Sequence, residues 1–448
     1  MATINAPSDF SPSSVAQASG SIAKYISLGQ YLNAVNMPDN RERLVSTYGD
    51  QSISGLYSFL YMAGAISAGG SADEVTWWED TRLHAKVGGT SVNAADAGTK
   101  DAVTITLANP RVAVNNVVLI YGGASDKPQV AIVVSKTALN YVVRPNGTWN
   151  FAIVSGAVYK ASVIGSSYGQ GTIQPVDFNQ PNIVKRTNTY GILKNTFAVT
   201  GSQMTNKSWV KIDGMDAFYH KGEQDFRKVT KDQVEMMHVF GDTFTNNDSS
   251  VASLNITGYE GYIPALHSRG IVNRGFIEDR ADLEAICEIL DKEGGAVEYT
   301  GFVNTKQQFK IDALAAALNA NLAYGTFSNS KDMALQLGYK SLGLGGREFH
   351  FQNWKLMNDP TLLGQQEYYK GVLVPNDSIK DSNTGIEAPL LEINYKNLEG
   401  YSREMETWVN GSANGIYNNS AGFDGLKWDI RCEQTLVTRA ANRHVLLA

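Results

Sequence analysis

The sequence predicts a mixed α+β fold from three features that follow one another along the chain. Short Val, Ile and Tyr runs separated by turn residues predict a block of strands over residues 101–165. The segment Phe178–Ser202 then alternates polar and apolar residues without a helical period, which indicates an extended arm. A long charged amphipathic pattern at Tyr219–Asp242 predicts one surface-lying helix. An arm that leads into such a helix suits assembly better than it suits a binding pocket.

The β-rich block predicts five strands whose spacing fits a small barrel or sandwich. Their sequences are AVTITL, NVVLIYG, QVAIVVSK, NYVVRP and VYKASVIG. Because composition changes on both sides of the block, we expect an insertion. Ahead of it, Val75–His84 (VTWWEDTRLH) predicts a strand with one packed face, and the apolar residues 51–68 are expected to be buried. Residues 1–50 show no lasting apolar period and predict an arm that orders only when covered.

Two helical periods stand out between residues 221 and 293. Over 221–240 the apolar stripe is narrow and is formed by Phe226, Val229, Met236 and Phe240, so Val229→Asp is expected to disrupt folding or assembly. A second helix is predicted over 279–293, where acidic residues open the segment and two glycines end it. Its apolar stripe is Leu283, Ile286, Cys287 and Leu290.

Further elements follow from shorter patterns. Ala313–Tyr324 predicts a third helix. FHFQNW, YYKGVLVP and PLLEINY predict strands, and the C-terminal KWDIRCEQTLVTRAANRHVLL alternates well enough for one or two more.

Composition narrows the function classes. The chain has 448 residues, enough for two or three domains, and its 43% apolar and 18% charged content is that of a folded protein. The formal net charge is −6 and no run of Lys and Arg occurs, which does not favour a nucleic-acid-binding protein. We expect no signal peptide and no membrane span, and hence a soluble protein made in a reducing cytoplasm. Two cysteines exclude a disulfide framework, and Cys287 is expected to be a buried free thiol.

Candidate catalytic motifs are weak. Ser167 lies in GSSYG, but Pro175 and the residues before it do not start the helix that a nucleophile elbow needs. LGLGG at Leu342–Gly346 fits a tight turn better than a phosphate loop. The acidic residues Asp73, Glu74, Glu79 and Asp80 could form a glycosidase pair, but solvated or interface carboxylates are more common. No histidine stands at metal-ligand spacing, so no catalytic residue, metal or cofactor is predicted.

The order of these segments resembles the major capsid protein of tailed double-stranded-DNA bacteriophages, with the Hong Kong 97-type fold, and most of all the crAss-like phage group. VTWWEDTRLH resembles the strand that opens the extended loop, and Asn109–Gly171 resembles an inserted β-domain. Asn188–Gln203 and His220–Asp242 resemble the run from that loop into the spine helix, and Leu266–Gly275 resembles the link after it. Arg347–Gly364, Tyr369–Pro375 and the C-terminal segment resemble strands of the axial and peripheral domains.

The resemblance implies a domain order. Residues 1–74 would be an N-terminal arm, and 75–178 the extended loop with its inserted barrel-like domain at about 109–165. Residues 179–290 would form the peripheral domain with the spine helix at 219–242. The axial domain would span 291–400, and 401–448 would return to the peripheral domain.

The resemblance also implies a structural, non-enzymatic subunit of an icosahedral phage head, assembled in the bacterial cytoplasm and resident in the virion. Its partners would be copies of itself in hexamers and pentamers, portal, head-to-tail and decoration proteins, and packaged DNA bound without sequence-specific contact. Assembly contacts are expected at Trp77, Trp78, Glu79, Asp80, Phe226, Val229, Met236 and Phe240. The alternatives are a β-rich binding protein or adhesin and, less favoured, a hydrolase built on Ser167 or on the carboxylates near Trp78.

Overall fold

The computed structural model describes residues 52–53, 55–84, 87–91, 103–122, 125–145, 158–175, 182–205, 211–212, 215–216, 218–243, 256, 258–322, 341–359, 368–380, 387–411 and 422–448. The predicted arm at 1–50 lies outside these residues. Helices are α1 (Leu56–Met62), α2 (Gly201–Thr205), α3 (Phe218–Phe240), α4 (Tyr262–Arg269), α5 (Arg280–Glu293) and α6 (Thr305–Leu322), with 3₁₀ turns at Lys355–Met357 and Ala441–Arg443.

The strands make this a mixed α+β protein. They are β1 (Ile66–Ala68), β2 (Glu74–Asp80), β3 (Thr90–Ser91), β4 (Val103–Thr106), β5 (Asn116–Gly122), β6 (Ser125–Lys136), β7 (Asn140–Pro145), β8 (Tyr159–Ser166), β9 (Ile183–Thr189), β10 (Gly191–Thr200), β11 (Lys211–Ile212), β12 (Met215–Asp216), β13 (Ile271–Asn273), β14 (Glu298–Val303), β15 (Ser341–Leu344), β16 (Arg347–Asn353), β17 (Gly371–Pro375), β18 (Ser378–Lys380), β19 (Glu387–Pro389), β20 (Leu391–Tyr395), β21 (Asn397–Leu398), β22 (Tyr401–Ser402), β23 (Glu406–Asn410), β24 (Gly425–Thr438) and β25 (Val445–Leu447).

The chain divides into two compact units. The smaller one includes Phe197–Lys228 and Val409–Trp428, and the larger one includes Ser52–Thr196, Val229–Trp408 and Asp429–Ala448. In the smaller unit, the Phe197 ring packs against Phe226 and Trp428, with ring centroids 5.9 and 5.5 Å apart. Gly222 makes room for this ring, because a Cβ atom there would lie 2.6 Å from it.

A six-stranded mixed sheet organises the larger unit, in the order β13-β25-β17-β14-β16-β15. All five residues of β17 are buried, as expected for a central strand covered on both faces. One face packs on α5 and α6 through residues such as Leu290, Ile311 and Phe349. The other packs on α1 and α4 through residues such as Phe302. A second sheet has the order β1-β20-β24-β10, with β23 beside β24. It adds residues such as Ile393 and Leu436 to the apolar core that contains Phe302, α1 and α4.

The described residues between 87 and 166 form a closed six-stranded antiparallel barrel, in the order β3-β4-β7-β6-β5-β8. A bridge between Thr90 and Val158 joins its two ends, and the Tyr159 amide donates to the Gly89 carbonyl at 2.8 Å. Its interior is an apolar core that includes Val118, Val133 and Tyr141. All five strands predicted in this block are present. The barrel begins before the expected boundary near residue 109, because β3 and β4 complete its wall.

Helix α5 matches its prediction closely. Asp279 and Asp282 form a capping box, the four predicted stripe residues are buried, and Gly294 ends the helix at φ +67°. Helix α6, in contrast, begins at Thr305 rather than at 313. Its first turns are polar in sequence, yet Gln307 is buried because its side chain accepts from the Ile277 amide and donates to the Ile277 carbonyl, at 3.1 and 3.0 Å.

Candidate assembly surfaces

The predicted Trp/acidic strand is one half of a two-stranded antiparallel ribbon that connects the larger unit's core to the barrel. Strand β2 pairs with β9 over seven residue pairs, from Glu74 opposite Thr189 to Asp80 opposite Ile183. Among the described residues, neither strand pairs with a third. An isolated two-stranded ribbon is marginal in water, so its stability must come from what covers its faces.

The inner face of the ribbon is fixed to the core by hydrogen bonds. Asn188 is buried, and its side-chain amide donates to the carbonyls of Glu260 and Leu436 at 2.9 and 2.7 Å. Its Oδ1 accepts from the Glu260 amide at 2.9 Å. Thr189 Oγ1 donates to the Gly258 carbonyl at 2.5 Å. A single polar side chain thus ties the ribbon to two separate segments of the core.

Glu79 is a second anchor of the same face. Its carboxylate accepts from the Trp77 indole at 3.1 Å, from Arg186 at 3.3 Å and from the Ala440 amide at 3.0 Å. Trp77 is buried beside it. Because these three donors bind the Glu79 carboxylate, its role is structural. Asp73 forms a separate ion pair with Lys396, which lowers the pKa of the Asp73 carboxyl. The geometry therefore gives no support to a glycosidase pair.

The outer face of the ribbon is exposed and partly apolar. Trp78 is 65% exposed and lies opposite Lys185 in the register, while the Asp80–Ile183 pair lies toward the barrel end. Glu74, Thr76 and Asp80 alternate with inward residues and are exposed as well. Of the four predicted contact residues here, Trp77 and Glu79 face inward, and Trp78 and Asp80 are available to another surface.

Helix α3 confirms the predicted long helix but not all of its predicted packed stripe. Val229 is 52% exposed, so its expected place on the packed face is wrong. Met236 and Phe240 are partly buried against the core, and Phe226 packs on Phe197 within the smaller unit. The buried face of α3 in the larger unit consists of Thr230, Val234, Glu235, His238 and Val239.

Three of those five residues are polar, which explains the shifted stripe. Glu235 is buried and accepts from the Gly55 amide at 2.8 Å, the Leu56 amide at 3.1 Å and the Trp354 indole at 2.8 Å. Its carboxylate therefore caps the first turn of α1, where two N–H groups would otherwise lack a partner. An apolar-stripe search assigns such a residue to the solvent side, because its partners lie far away in sequence.

Two histidines are buried in the same core. His238 Nε2 donates to Gln434 Oε1 at 2.8 Å, and burial lowers the pKa of His238 to about 4. His444 Nδ1 accepts from the Tyr262 hydroxyl at 2.8 Å, and burial lowers the pKa of His444 to about 3. Both imidazoles are therefore neutral at pH 7, and their roles are structural.

The other predicted motifs are structural where the chain is described. After Ser167 the backbone turns at Gly171 and stays non-helical through residue 175, which rules out a nucleophile elbow there. Gly345 and Gly346 form the turn between β15 and β16, at φ +61° and +76°. Both cysteines are free and buried, and burial raises the pKa of Cys432 to about 11. Within the described ranges, no group of His, Cys, Asp and Glu could hold a metal ion.

Sequence reasoning missed a chain of polar side chains near the β16–β15 edge of the six-stranded sheet. Ser341 Oγ lies 2.8 Å from His350 Nδ1, and His350 Nε2 lies 3.2 Å from Glu298 Oε1. Glu298 also accepts from Asn376, whose Oδ1 accepts from Thr300. Strands β14, β15 and β16 and the residue that follows β17 come together only in the folded sheet, so no local sequence pattern predicts this chain of contacts. Its members join β14–β17 across an open surface.

None of the described helices is long and apolar enough to span a membrane. No family model matches the sequence, and neither does any curated protein. Solved structures similar to this fold include one from Mycobacterium phage Ogopogo, at 8% identity and a TM-score of 0.42, covering 95% of this chain and 99% of the other. One from Microbacterium phage Oxtober96 has 10% identity and a TM-score of 0.38, covering 94% and 97%.

A capsid structure of Cyanophage P-SCSP1u is similar over 64% of this chain and 80% of its own, at 9% identity and a TM-score of 0.34. All these similarities are distant.

Proposed function

We propose that this protein is the structural subunit of a bacteriophage head, with the Hong Kong 97-type arrangement, that assembles with copies of itself into the shell around the double-stranded DNA genome. The ribbon of β2 and β9 is the observation that carries the proposal. It leads from the core to the barrel, is anchored on one face, and presents Trp78 and Ile183 on the other. Such a ribbon gains little alone and much when another copy covers it.

The order of elements supports the same proposal. Ribbon, inserted barrel, return strand and 23-residue α3 follow one another as the sequence resemblance implies. We propose the crAss-like group as the narrower assignment, because the resemblance is to loops that carry an extra β-domain. The same proposal includes hexamers and pentamers as building blocks, the domain order that the resemblance implies, and a location in the virion. It also includes assembly in the host cytoplasm and contacts with portal, head-to-tail and decoration proteins.

Microscopy of the purified full-length chain tests the proposal. Closed shells, tubes or six-fold rings in negative stain are expected once the protein is concentrated, because ring contacts are head to tail and close on themselves. Sedimentation over a concentration series gives an independent measurement. A chain that stays monomeric at every concentration, with or without a shell-promoting precipitant, contradicts the proposal.

The outer face of the ribbon offers a matched pair of variants. Trp78→Ser removes the exposed aromatic ring and is expected to lower the yield of assembled particles at least tenfold, while the unassembled chain keeps its melting temperature. Thr76→Ser on the same face is the control and is expected to assemble normally. Equal assembly of both variants would show that this face makes no contact between copies.

A further inference from the structure

One side of the inserted barrel is apolar on its outer surface as well as inside. In the three neighbouring strands β8, β5 and β6, residues that alternate with the buried core point outward. Two cross-strand pairs form the centre of this face, Leu119 with Val130 and Val117 with Ile132. The apolar members of the face are Val117, Leu119, Tyr121, Val130, Ile132, Val134 and Ile164, and β8 adds Ser162 and Lys160 at its edge, opposite Leu119 and Tyr121. We call it the barrel apolar face.

Four of its members are exposed outright: Tyr121 at 41%, Val130 at 37%, Val134 at 43% and Ile164 at 56%. The opposite side of the same barrel differs. There β4 and β7 turn Thr104, Thr106, Asn140 and Arg144 outward, with Val142 as the apolar exception. This is the alternation expected of a strand with one solvated face, and the barrel apolar face breaks it.

The size of the face limits what can bind to it. Its seven part-exposed side chains present on the order of 400 Å², the extent at which a monomer's largest patch is often functional. Two such faces together bury about 800 Å², less than the ~1,200 Å² at which stable complexes begin. Contact through this face alone is therefore too small to hold a free dimer. It requires copies that other contacts already hold together.

We propose that the barrel apolar face binds the same face of a second copy of this chain, as a two-fold contact within the assembled shell. None of its seven apolar residues carries a charge, and Lys160 lies at the edge on β8, so the centres of two identical faces meet without like-charge repulsion. The proposal rests on the proposed shell function, which supplies the local concentration that a contact of this size needs.

Single cysteines test the contact in the full-length chain. Leu119→Cys and Val130→Cys place a thiol at the centre of the face, and Thr106→Cys and Arg144→Cys place one on the polar side. The native Cys287 and Cys432 are buried and give little background. A short bismaleimide is added to assembled particles and to dilute unassembled chain. Covalent dimers are expected at 119 and 130 in the particles only, because each thiol lies near its own copy across a two-fold axis.

Three results would overturn the proposal. One is an absence of dimers at both central positions in particles that have assembled, which leaves the shell function intact. Another is equal dimer formation at all four positions. The third is cross-linking of 119 and 130 to a different protein. A chain that never assembles refutes the shell function and this contact with it.

Charge variants provide a second measurement that does not depend on cross-linker reach. The pair Leu119→Glu and Val130→Glu brings four carboxylates together across the two-fold contact. It is expected to lower the midpoint of particle disassembly on heating, while the unassembled chain melts as the parent does. The pair Thr104→Glu and Thr106→Glu adds the same charge to the polar side and is expected to leave the midpoint unchanged. Equal midpoints for the two pairs would overturn the proposal.

Discussion

Two buried polar residues, Glu235 and Asn188, connect segments of the fold that are far apart in sequence. Glu235 is the clearest case, because one carboxylate satisfies the start of α1 and the indole of Trp354. Asn188 does the same for the ribbon and two segments of the core. Each residue connects parts of the chain that are far apart in sequence, so its loss leaves several buried groups unpaired at once.

Glu235→Ala is expected to lower the free energy of unfolding by about 3 kcal/mol or more, because it leaves buried N–H donors without an acceptor. Chemical denaturation of the unassembled chain measures this. The control is Glu223→Ala on the same helix, where the lost i,i+4 pair with Arg227 is worth about 0.5 kcal/mol. Equal effects of the two substitutions would show that the Glu235 carboxylate does not cap α1.

The buried histidines predict a specific loss of stability in acid. Their folded-state pKa values, about 4 for His238 and about 3 for His444, lie below the ordinary value of 6.5. The neutral form is therefore favoured by folding, so this contribution is complete above pH 6.5 and is lost as the pH falls toward 4 and 3. Between pH 7 and pH 4 the loss amounts to on the order of 5 kcal/mol for both residues together.

Melting temperatures of the unassembled chain across pH 7 to pH 4 test this prediction. The comparison is with His238→Gln, which cannot take up a proton. The variant is expected to be less stable at pH 7 but to lose less on acidification. Parallel curves for parent and variant would rule out His238 as a source of the acid sensitivity.

At the scale of elements, α3 shows how a helix can be predicted while its packed face is not. Val234 and Val239 are buried, whereas Val229, five residues before Val234 and therefore about 140° around the helix from it, is half exposed. Val234→Asp is expected to abolish soluble folding because it buries a charge without a partner, whereas Val229→Asp is expected to cost less than about 1 kcal/mol. Soluble yield and thermal unfolding of the two variants provide the measurement. If Val229→Asp is the more damaging, the assigned face is incorrect.

The barrel is closed where the segment around β3 meets β8, here called the barrel seam, and two glycines allow this close approach. A Cβ atom on Gly88 would lie 2.4 Å from the Tyr159 carbonyl oxygen, and one on Gly89 would lie 2.2 Å from that of Thr106. Because these obstacles are backbone atoms, they cannot move aside cheaply. Gly88→Ala and Gly89→Ala are expected to open the barrel and increase its proteolysis. Gly165→Ala meets nothing within 4 Å and is the matched control. Resistance to protease equal to the parent in all three variants would disprove a tight seam.

What the sequence could predict depended on whether the signal was local. Helix α5 carries its own cap, stripe and terminating glycine, and the barrel strands carry their own turns, so both were predictable. The pairing of β1 with β20 brings together Ile66 and Ile393, and no local sequence pattern predicts this contact. The polar stripe of α3 and the Ser341–His350–Glu298 chain depend on distant partners in the same way. The carboxylates near Trp78 were visible in sequence, but only the fold gives Glu79 its structural role.

At the scale of the whole molecule, we expect the barrel to behave as an insertion, so that its removal leaves the remaining fold intact. Asp80 and Ile183 are register partners at the end of the ribbon, and the Thr81 amide donates to the Asn182 carbonyl at 2.9 Å. The two strands are therefore close enough to be joined directly. Replacing residues 82–181 with Asn-Gly would close β2 and β9 into a hairpin, since this dipeptide favours the turn that matches strand twist.

The shortened chain is expected to stay soluble and to keep the melting transition of the parent's core, because the interior of the barrel forms a separate cluster. Its assembly is expected to be impaired. Deleting only residues 109–165 is the informative contrast, since this cut leaves β3 and β4 without the strands that complete their wall. That variant is expected to aggregate. Differential scanning calorimetry with a solubility assay separates the two, and unfolding of both chains would show that the barrel is not an independent insertion.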